Sequence, residues 1–278
     1  MPSVRDTAVP MITAAGRTVN RYERLSALLD LLSNRGKVDV DALAADLEVS
    51  AATIRRDLDH LAEQQLLTRT RGGAVANNVA YDLPLRYKTA RNTSRKERIG
   101  RAAAALVERG MVVGLNGGTT TTEIARALAI RPETCPPGEP AFTVVTNALN
   151  IANELAVRPH VKIVVTGGVA RPQSFELTGP LATRIIDELT LDIVFLGVDA
   201  IDPVHGAYAH HEGEANVNRL MATRARRVVV IADSTKLTAH AFARICPTTT
   251  LDLLITDADA DPAILAEFAE AGLPVRTV

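Results

Sequence analysis

Val49-Ser50-Ala51-Ala52-Thr53-Ile54-Arg55-Arg56-Asp57-Leu58-Asp59-His60-Leu61 is the stretch whose reading decides the fold. The Ser50 hydroxyl suits an N-cap, where it accepts from backbone N–H groups left free at a helix start. Ile54, Leu58 and Leu61 recur at i, i+4 and i+7, which predicts a helix with one apolar stripe. At about 100° per residue, Ala52, Arg56 and Asp59 fall opposite that stripe, with Thr53 and Arg55 on its flanks. A helix that packs on one side and offers small, hydroxylic and guanidinium groups on the other meets the requirement for entering a DNA major groove. An ordinary amphipathic surface helix with two solvated arginines has the same pattern, so the flanking sequence decides between them.

Upstream, Arg21 to Asn34 carries Leu25, Leu28, Leu29 and Leu32 at helical spacing, and Gly36 is placed to end the helix. Lys37-Val38 is too short for more than a scrap of strand. Asp39 is placed to cap a second helix with Leu43, Ala44 and Leu47 on one face. Glu48-Val49 then turns tightly into Ser50, giving a helix-turn-helix order. Downstream, Leu67, Thr68 and Thr70 suit a strand, and Gly72-Gly73 a reversal. A hairpin bearing Arg69 and Arg71 beside the groove helix reads as a wing whose arginines could hold phosphates or reach the minor groove; the alternative is a plain solvated turn. Glu23, Asp30, Asp39, Asp41, Asp46 and Glu48 lie on the first two helices, away from the expected DNA face. The candidate DNA-binding residues are Ser50, Ala52, Thr53, Arg55, Arg56, Arg69, Arg71 and Gly72.

The run VSAATIRRDLDHLAEQQLLTRTRGGAV resembles the DNA-binding signature of the DeoR family of bacterial transcriptional regulators, in which a Thr-Ile-Arg-Arg-Asp-Leu helix precedes an Arg-x-x-Gly-Gly-Ala wing. The resemblance implies groove contacts from Thr53, Arg55 and Arg56, supported by Arg69 and Arg71. Asp57 lies near the buried edge of the helix and is expected to pair with an arginine rather than read cytosine.

The chain has 278 residues, 47% hydrophobic, with a formal net charge of −1. That length suits two domains, and that charge excludes a uniformly basic coat, so any nucleic-acid contact must come from local clusters. Cys135 and Cys246 match no metal or redox spacing and read as reduced thiols of a cytoplasmic protein. No apolar run reaches membrane-spanning length, and residues 1–19 read as a flexible tail rather than a signal peptide. The expected organisation is a tail over 1–19, a winged helix-turn-helix domain over 20–75, a linker over 76–94 and a second domain over 95–278. Arg86, Lys88, Arg91, Arg95, Lys96 and Arg98 make the linker region basic, either as a connector near DNA or as a solvated segment running into a helix at Arg95–Glu108.

From Gly110 onward, short apolar runs alternate with amphipathic helices. Strands are expected at Val112–Leu115, Thr143–Thr146, Lys162–Thr166, Ile193–Gly197, Val228–Ala232 and Leu253–Thr256. Helices are expected at Thr121–Ala129, Ala148–Ala156, Leu181–Glu188, Ala215–Ala225 and Ala263–Ala271. The alternation predicts an α/β domain with a largely parallel sheet covered on both faces, and ligands in such sheets bind at the carboxyl ends of strands. The first strand runs into Asn116-Gly117-Gly118-Thr119-Thr120-Thr121-Thr122 and then a helix, a composition that suits a phosphate cradle without being a Walker loop; such a turn is also a common strand–helix connection. Other strand ends offer Thr146-Asn147, Thr166-Gly167-Gly168, Gly197-Val198-Asp199 and Asp233-Ser234-Thr235-Lys236. The dense run from His205 to Glu214, containing His210 and His211, could hold a metal or an acid/base pair, but its spacing is no recognised zinc pattern; it is expected to be a loop over the pocket.

These stations resemble the effector domain of the same family, which is similar in fold to ribose-5-phosphate isomerase and glucosamine-6-phosphate deaminase. The resemblance implies that Asn116, Gly118, Thr119, Thr120, Thr146, Asn147, Gly167, Gly168, Asp199, Glu214, Asp233 and Lys236 border a sugar-phosphate pocket. Asn116 stands where the family often has Asp, and Asn218 where it often has a basic residue. The implied function is a repressor of carbohydrate metabolism genes, released from operator DNA by a phosphorylated sugar or polyol. Its partners would be double-stranded operator DNA, the effector and further copies of itself in a dimer or tetramer, with no membrane, metal or cofactor. Two alternatives stand beside it: a sugar-phosphate isomerase or deaminase with an appended DNA module, using Asp199, Glu214, a loop histidine and Lys236, and a DNA-binding protein whose sheet domain serves only assembly.

Overall fold

A computed structural model describes residues 21–64, 66–76, 85, 92–131, 136, 139–237 and 239–278. The tail expected over 1–19, most of the linker expected over 76–94, and Cys135 lie outside the described residues. The chain divides into two compact units, Met1–Arg91 and Asn92–Val278.

In the first unit, α1 (Arg21–Arg35) precedes β1 (Lys37–Asp39), α2 (Val40–Asp46), α3 (Ala51–Glu63), β2 (Leu67–Arg69) and β3 (Gly73–Ala76). Gly36 ends α1 in the left-handed conformation, at φ 68°. Asp39 caps α2 by accepting from the backbone N–H groups of Asp41 and Ala42. Lys37–Asp39 is more than a scrap of strand. It pairs antiparallel with β3, so the wing is a three-stranded sheet in the order β1-β3-β2. A short strand with weak local propensity forms here because Val38 is buried in the unit's core with Leu28, Leu43, Ile54, Leu58 and Leu61. Gly73 permits the close approach: a Cβ there would lie 1.9 Å from the Val38 carbonyl oxygen.

The second unit is built on a seven-stranded sheet in the order β15-β14-β12-β9-β4-β5-β6. Its strands are β4 (Val112–Leu115), β5 (Phe142–Thr146), β6 (Val161–Val165), β9 (Ile193–Gly197), β12 (Val228–Ile231), β14 (Leu253–Thr256) and β15 (Val275–Thr277). Every pairing in it is parallel. Successive side chains alternate between two cores. Val113, Leu115, Ile193, Phe195, Val229 and Ile231 face one core with α4 (Thr93–Ala104), α5 (Thr119–Ala129) and α6 (Leu149–Leu155). Val194, Leu196, Val228 and Val230 face the other with α7 (Pro180–Asp187), α8 (Glu212–Thr223) and α9 (Pro262–Glu270). Helix α4 ends well before Glu108, because the chain tightens after Ala104 into turns that drop Val107 into the core.

Two small antiparallel elements were not expected. β7 (Val169–Ala170) pairs with β8 (Leu177–Thr178), and β10 (Ala200–Asp202), β11 (Gly206–Ala209) and β13 (Ala243–Cys246) form a three-stranded sheet. The run from His205 to Glu214 is therefore not a loop: it is a turn, strand β11 and the start of α8. Strand β4 is the first of the large sheet, with β5 on one side and β9 on the other, so the strand order reverses at β4. In open parallel sheets the crevice at such a reversal, beyond the carboxyl ends of the strands, is where ligands bind.

Candidate functional site

The first site is the outer face of α3. Ser50 accepts from the Thr53 N–H at 3.1 Å, and the two hydroxyls lie 2.9 Å apart. Ile54, Asp57, Leu58 and Leu61 are buried, while Ala52, Arg55 and Arg56 are exposed. Asp57 is held from α1: Arg24 donates to it at 2.6 and 3.4 Å, and both side chains are largely buried. The arginine partner expected for Asp57 is thus Arg24. Asp59 is paired with Arg69 of the wing at 2.8 Å. Asp57 and Asp59 of α3 are neutralised from outside the helix, whereas Arg55, Arg56 and Arg71 make no ion pair among the described residues. The face that remains is cationic although the chain is not.

Arg69 departs from the sequence expectation. Besides Asp59 it donates to the Gly73 carbonyl at 2.6 Å, so its fork ties the wing to α3 instead of standing free for phosphate. Arg71 and Gly72 are exposed at the wing's reversal, and Gly72 accepts from the Val40 N–H at 2.8 Å.

The second site lies at the sheet's reversal. Asn116 is buried and its amide bridges the Gly197 peptide: Nδ2 donates to the Gly197 carbonyl at 2.9 Å and Oδ1 accepts from the Gly197 N–H at 2.8 Å. It staples the ends of β4 and β9, a structural role that the sequence reading, which placed it in the pocket wall, did not foresee. Gly118, at φ 138°, is the N-cap of α5, with Thr119 and Thr120 in the first turn. Thr121 and Thr122 donate their hydroxyls to the Gly118 carbonyl at 3.0 and 2.7 Å, which fixes that turn. The free N–H groups and the positive end of the helix dipole make it an anion-binding geometry.

Thr146 is buried and its hydroxyl accepts from the Ala148 N–H, so it shapes the start of α6. Asn147 donates to Glu176 at 2.9 Å. Gly117 lies flat against the same carboxyl group; a Cβ there would come within 2.2 Å of Glu176 Cγ. Gly168 sits against β8, where a Cβ would be 2.7 Å from the Thr178 carbonyl oxygen, and Gly167 has φ 69°. Glu214 is paired at 3.1 Å with Arg171, which lies between β7 and β8. Asp199 accepts from the His210 N–H at 3.0 Å. Burial first, and then the neighbouring Glu214 carboxylate, push Glu176 up to about 8. The structure thus brings Gly117 and Asn147 against Glu176, and Glu214 against Arg171; sequence reasoning missed Glu176 and Arg171. They sit in the short β7–β8 hairpin, whose only local mark is the glycine pair before it and Gly179-Pro180 after it.

Asp233 and Lys236 stand elsewhere along the same edge, beyond β12. Asp233 caps the 3₁₀ turn Ser234–Lys236, and Ser234 is bonded to Asp257. β12 is two strands from β4, a span of about 10 Å. The three histidines near the run to Glu214 do not converge: His205 is exposed, His210 faces Asp199, and His211 accepts from the Gly213 N–H as the cap of α8. Among the described residues no group of three or more His, Cys, Asp or Glu is placed to hold a metal ion, and no helix is long and apolar enough to cross a membrane. Cys246 is a buried free thiol. The buried acceptors Asn147 Oδ1 and Asn218 Oδ1 have no hydrogen-bond partner in the described structure.

Two family models match the chain: a DeoR-like helix-turn-helix domain over residues 24–80 and a DeoR C terminal sensor domain over residues 91–258. A protein of Escherichia coli O157:H7 named as an aga operon transcriptional repressor is 34% identical over 265 residues, covering 94% of this chain and 96% of that one. The glycerol-3-phosphate regulon repressor of Escherichia coli strain K12 is 29% identical over 247 residues, covering 89% and 95%. Among solved structures, ribose 5-phosphate isomerase A from Methanocaldococcus jannaschii matches with a TM-score of 0.39 at 21% identity, over 53% of this chain and 55% of that one. With relatives that are regulators along nearly their whole length, and a family model on each part of it, the chain belongs to the DeoR family: it is a DNA-binding transcriptional regulator with a C-terminal sensor domain, and not an enzyme.

Proposed function

We propose that this regulator is a cytoplasmic repressor of carbohydrate or polyol metabolism genes, released from its operator by a phosphorylated sugar or polyol. The observation that carries the proposal is the outer face of α3, where Arg55 and Arg56 stand exposed while Asp57 and Asp59 are paired with Arg24 and Arg69. Ser50, Ala52 and Thr53 keep the leading end of that helix slim enough for a groove, and Arg71 reaches from the wing. The effector's phosphate sits on the Gly118–Thr120 turn. Its hydroxyls meet the polar groups of Asn147, Glu176, Asp199 and Glu214, among which the buried Asn147 Oδ1 has no hydrogen-bond partner in the described structure and calls for a donor. Lys236, about 10 Å along the strand ends, takes a second anionic or carbonyl group of an extended sugar phosphate. The relatives agree in class, one being named a glycerol-3-phosphate regulon repressor.

Release follows from linkage. An effector that binds more tightly to the conformation unsuited to DNA weakens operator binding by the same factor by which DNA weakens effector binding. The repressor acts as a dimer or tetramer, so that paired α3 helices meet operator half-sites.

The test is a mobility-shift assay with DNA selected from a random pool, followed by titration with glycerol 3-phosphate, ribose 5-phosphate, fructose 1-phosphate and glucosamine 6-phosphate beside their unphosphorylated parents. Sequence-selective binding, reversed by a phosphorylated compound and not by its parent, is the expected result. Absence of selective binding at moderate salt rejects the regulator's DNA site as drawn. Selective binding with no response to any phosphate ester rejects the effector class.

A further inference from the structure

Both anion-facing stations of the sensor domain bear on one helix. Arg95, in the first turn of α4, donates to Ser234 Oγ at 3.3 Å, pairs with Asp259 at 2.6 Å and lies 3.7 Å from Asp257. Asp257 is fully buried and accepts from the Ser234 N–H at 2.7 Å, the Ser234 hydroxyl at 3.0 Å and the Asp259 N–H at 3.2 Å. One carboxylate therefore binds both the turn that carries Lys236 and, through Arg95, the start of α4. The other station reaches the same helix through packing. Helix α5, capped by Gly118, lies against α4 at Gly100, where a Cβ would fall 2.7 Å from Glu123 Cβ. Such close backbone contact leaves little room for one helix to move without the other. Helix α4 is also the first element after the division of the chain at Arg91.

We propose that α4 is the output element of the sensor domain, and that Arg95 is the positioning residue through which the Asp233–Lys236 turn sets where α4 begins. An anion drawn onto Lys236 shifts Ser234, and Asp257 and Arg95 follow because each is bonded to the next. The start of α4 moves with them, and the chain leading back to the DNA-binding unit leaves from a different point. This rests on the reading of Lys236 as an effector contact. It makes Arg95 a part of the signal rather than of either binding site.

Backbone hydrogen exchange on the full chain tests the relay, with inorganic phosphate as the probe and Arg95→Ala, Arg95→Lys and Asp259→Asn as variants. Asp259 is mostly exposed, so its Asn variant keeps the fold if Arg95→Ala does not. In the wild type, phosphate slows exchange at the Ser234–Lys236 turn and at the α4 amides Lys96–Gly100, the latter by at least about fivefold, the lower end of allosteric coupling. In the Arg95→Ala chain the turn still responds and α4 does not. Arg95→Lys and Asp259→Asn give intermediate responses in α4, because each leaves one of the two carboxylate links. An α4 response of wild-type size in all three variants overturns the relay. A wild-type chain that responds at the turn but not in α4 also overturns it, while leaving the anion reading intact. No response at either place removes the anion reading and the relay together.

Discussion

Replacing Arg24 with alanine tests whether the α3 face is built as described. Asp57 is a buried carboxylate whose partner Arg24 is itself mostly buried, at 2.6 Å. The other cation in reach, Arg21, is 4.0 Å away on an exposed side chain. Removing one partner of a buried pair costs about 3–5 kcal/mol, because the remaining charge has lost its water as well as its counter-ion. Arg21 offsets part of this, so the lower end, about 3 kcal/mol, is expected. At about 0.05–0.15 kcal/mol per residue, a unit of about 55 residues has a total stability of about 3–8 kcal/mol. The substitution therefore removes a large part of what keeps the DNA-binding unit folded. Hydrogen exchange of the α3 core amides, Leu58 and Leu61, reads this in the full chain: about 3 kcal/mol is more than a hundredfold acceleration. Asp57→Asn in the Arg24→Ala background takes away the stranded charge and should recover more than half of the loss. If Arg24→Ala accelerates exchange less than about fivefold, or the double variant is no better than the single, the buried pair does not hold α3 in place.

Three further outcomes follow from the same geometry. Arg55→Ala and Arg56→Ala should leave thermal unfolding unchanged, as both are exposed, and each lost phosphate contact should lower the slope of log affinity against log salt by about 0.9; unchanged binding in both removes α3 from the DNA interface. Glu176 carries a raised pKa, so the folded chain keeps a proton that the unfolded chain gives up; sensor-domain stability should fall as pH climbs from 4.5 to about 8 and then level off, with a slope of at most about 1.4 kcal/mol per pH unit. Glu176→Gln should flatten that dependence in urea titrations, and an unaltered slope would show the proton sits elsewhere. Gly117→Ala places a methyl 2.2 Å from Glu176 Cγ and should cost about 1–3 kcal/mol, with loss of the thermal shift by any effector; a normal shift would mean the carboxyl group is not against that turn.

What the sequence disclosed and what it hid divide along physical lines. Strands β4, β9 and β14 are legible to the residue because each is a short apolar run closed by glycine or a polar turn, and buried parallel strands need little else. Ser50, Asp39 and Gly36 announce helix ends because caps act within a few residues. β1, the β7–β8 hairpin and the β10–β11–β13 sheet were not legible. β1 and β13 are held by partners distant in sequence, and the β7–β8 and β10–β11 hairpins consist of strands too short to carry a period. The same locality explains the site. The Gly118 turn is visible because its chemistry is contiguous. Glu176 and Arg171 are invisible because their neighbours, Asn147 and Glu214, come from other elements. The structural bonds of Asn116 and Arg69 were missed for the converse reason. Their residue types fit a ligand, and only the structure reveals that the Gly197 peptide and the Asp59 carboxylate already occupy them.

The charge arithmetic of the first unit bears on assembly. Arg55, Arg56 and Arg71 are the guanidinium groups of α3 and the wing tip that lack an ion pair among the described residues. Three phosphate contacts give a salt slope of about 2.7, or about fortyfold in affinity between 50 and 200 mM salt. Phosphate contacts carry no sequence information, while specific binding runs about 10³–10⁷-fold above the non-specific background, so a single α3 must find that ratio in the few base edges it reaches. Two copies on one operator double the slope to about 5.4 and multiply the discrimination of the half-sites. A slope near 5.4 on the selected operator, falling to near 2.7 on a half-site, is the expected pair of values. A full operator that titrates with a slope near 2.7 would mean one α3 works alone, and the need for a second copy would disappear with it.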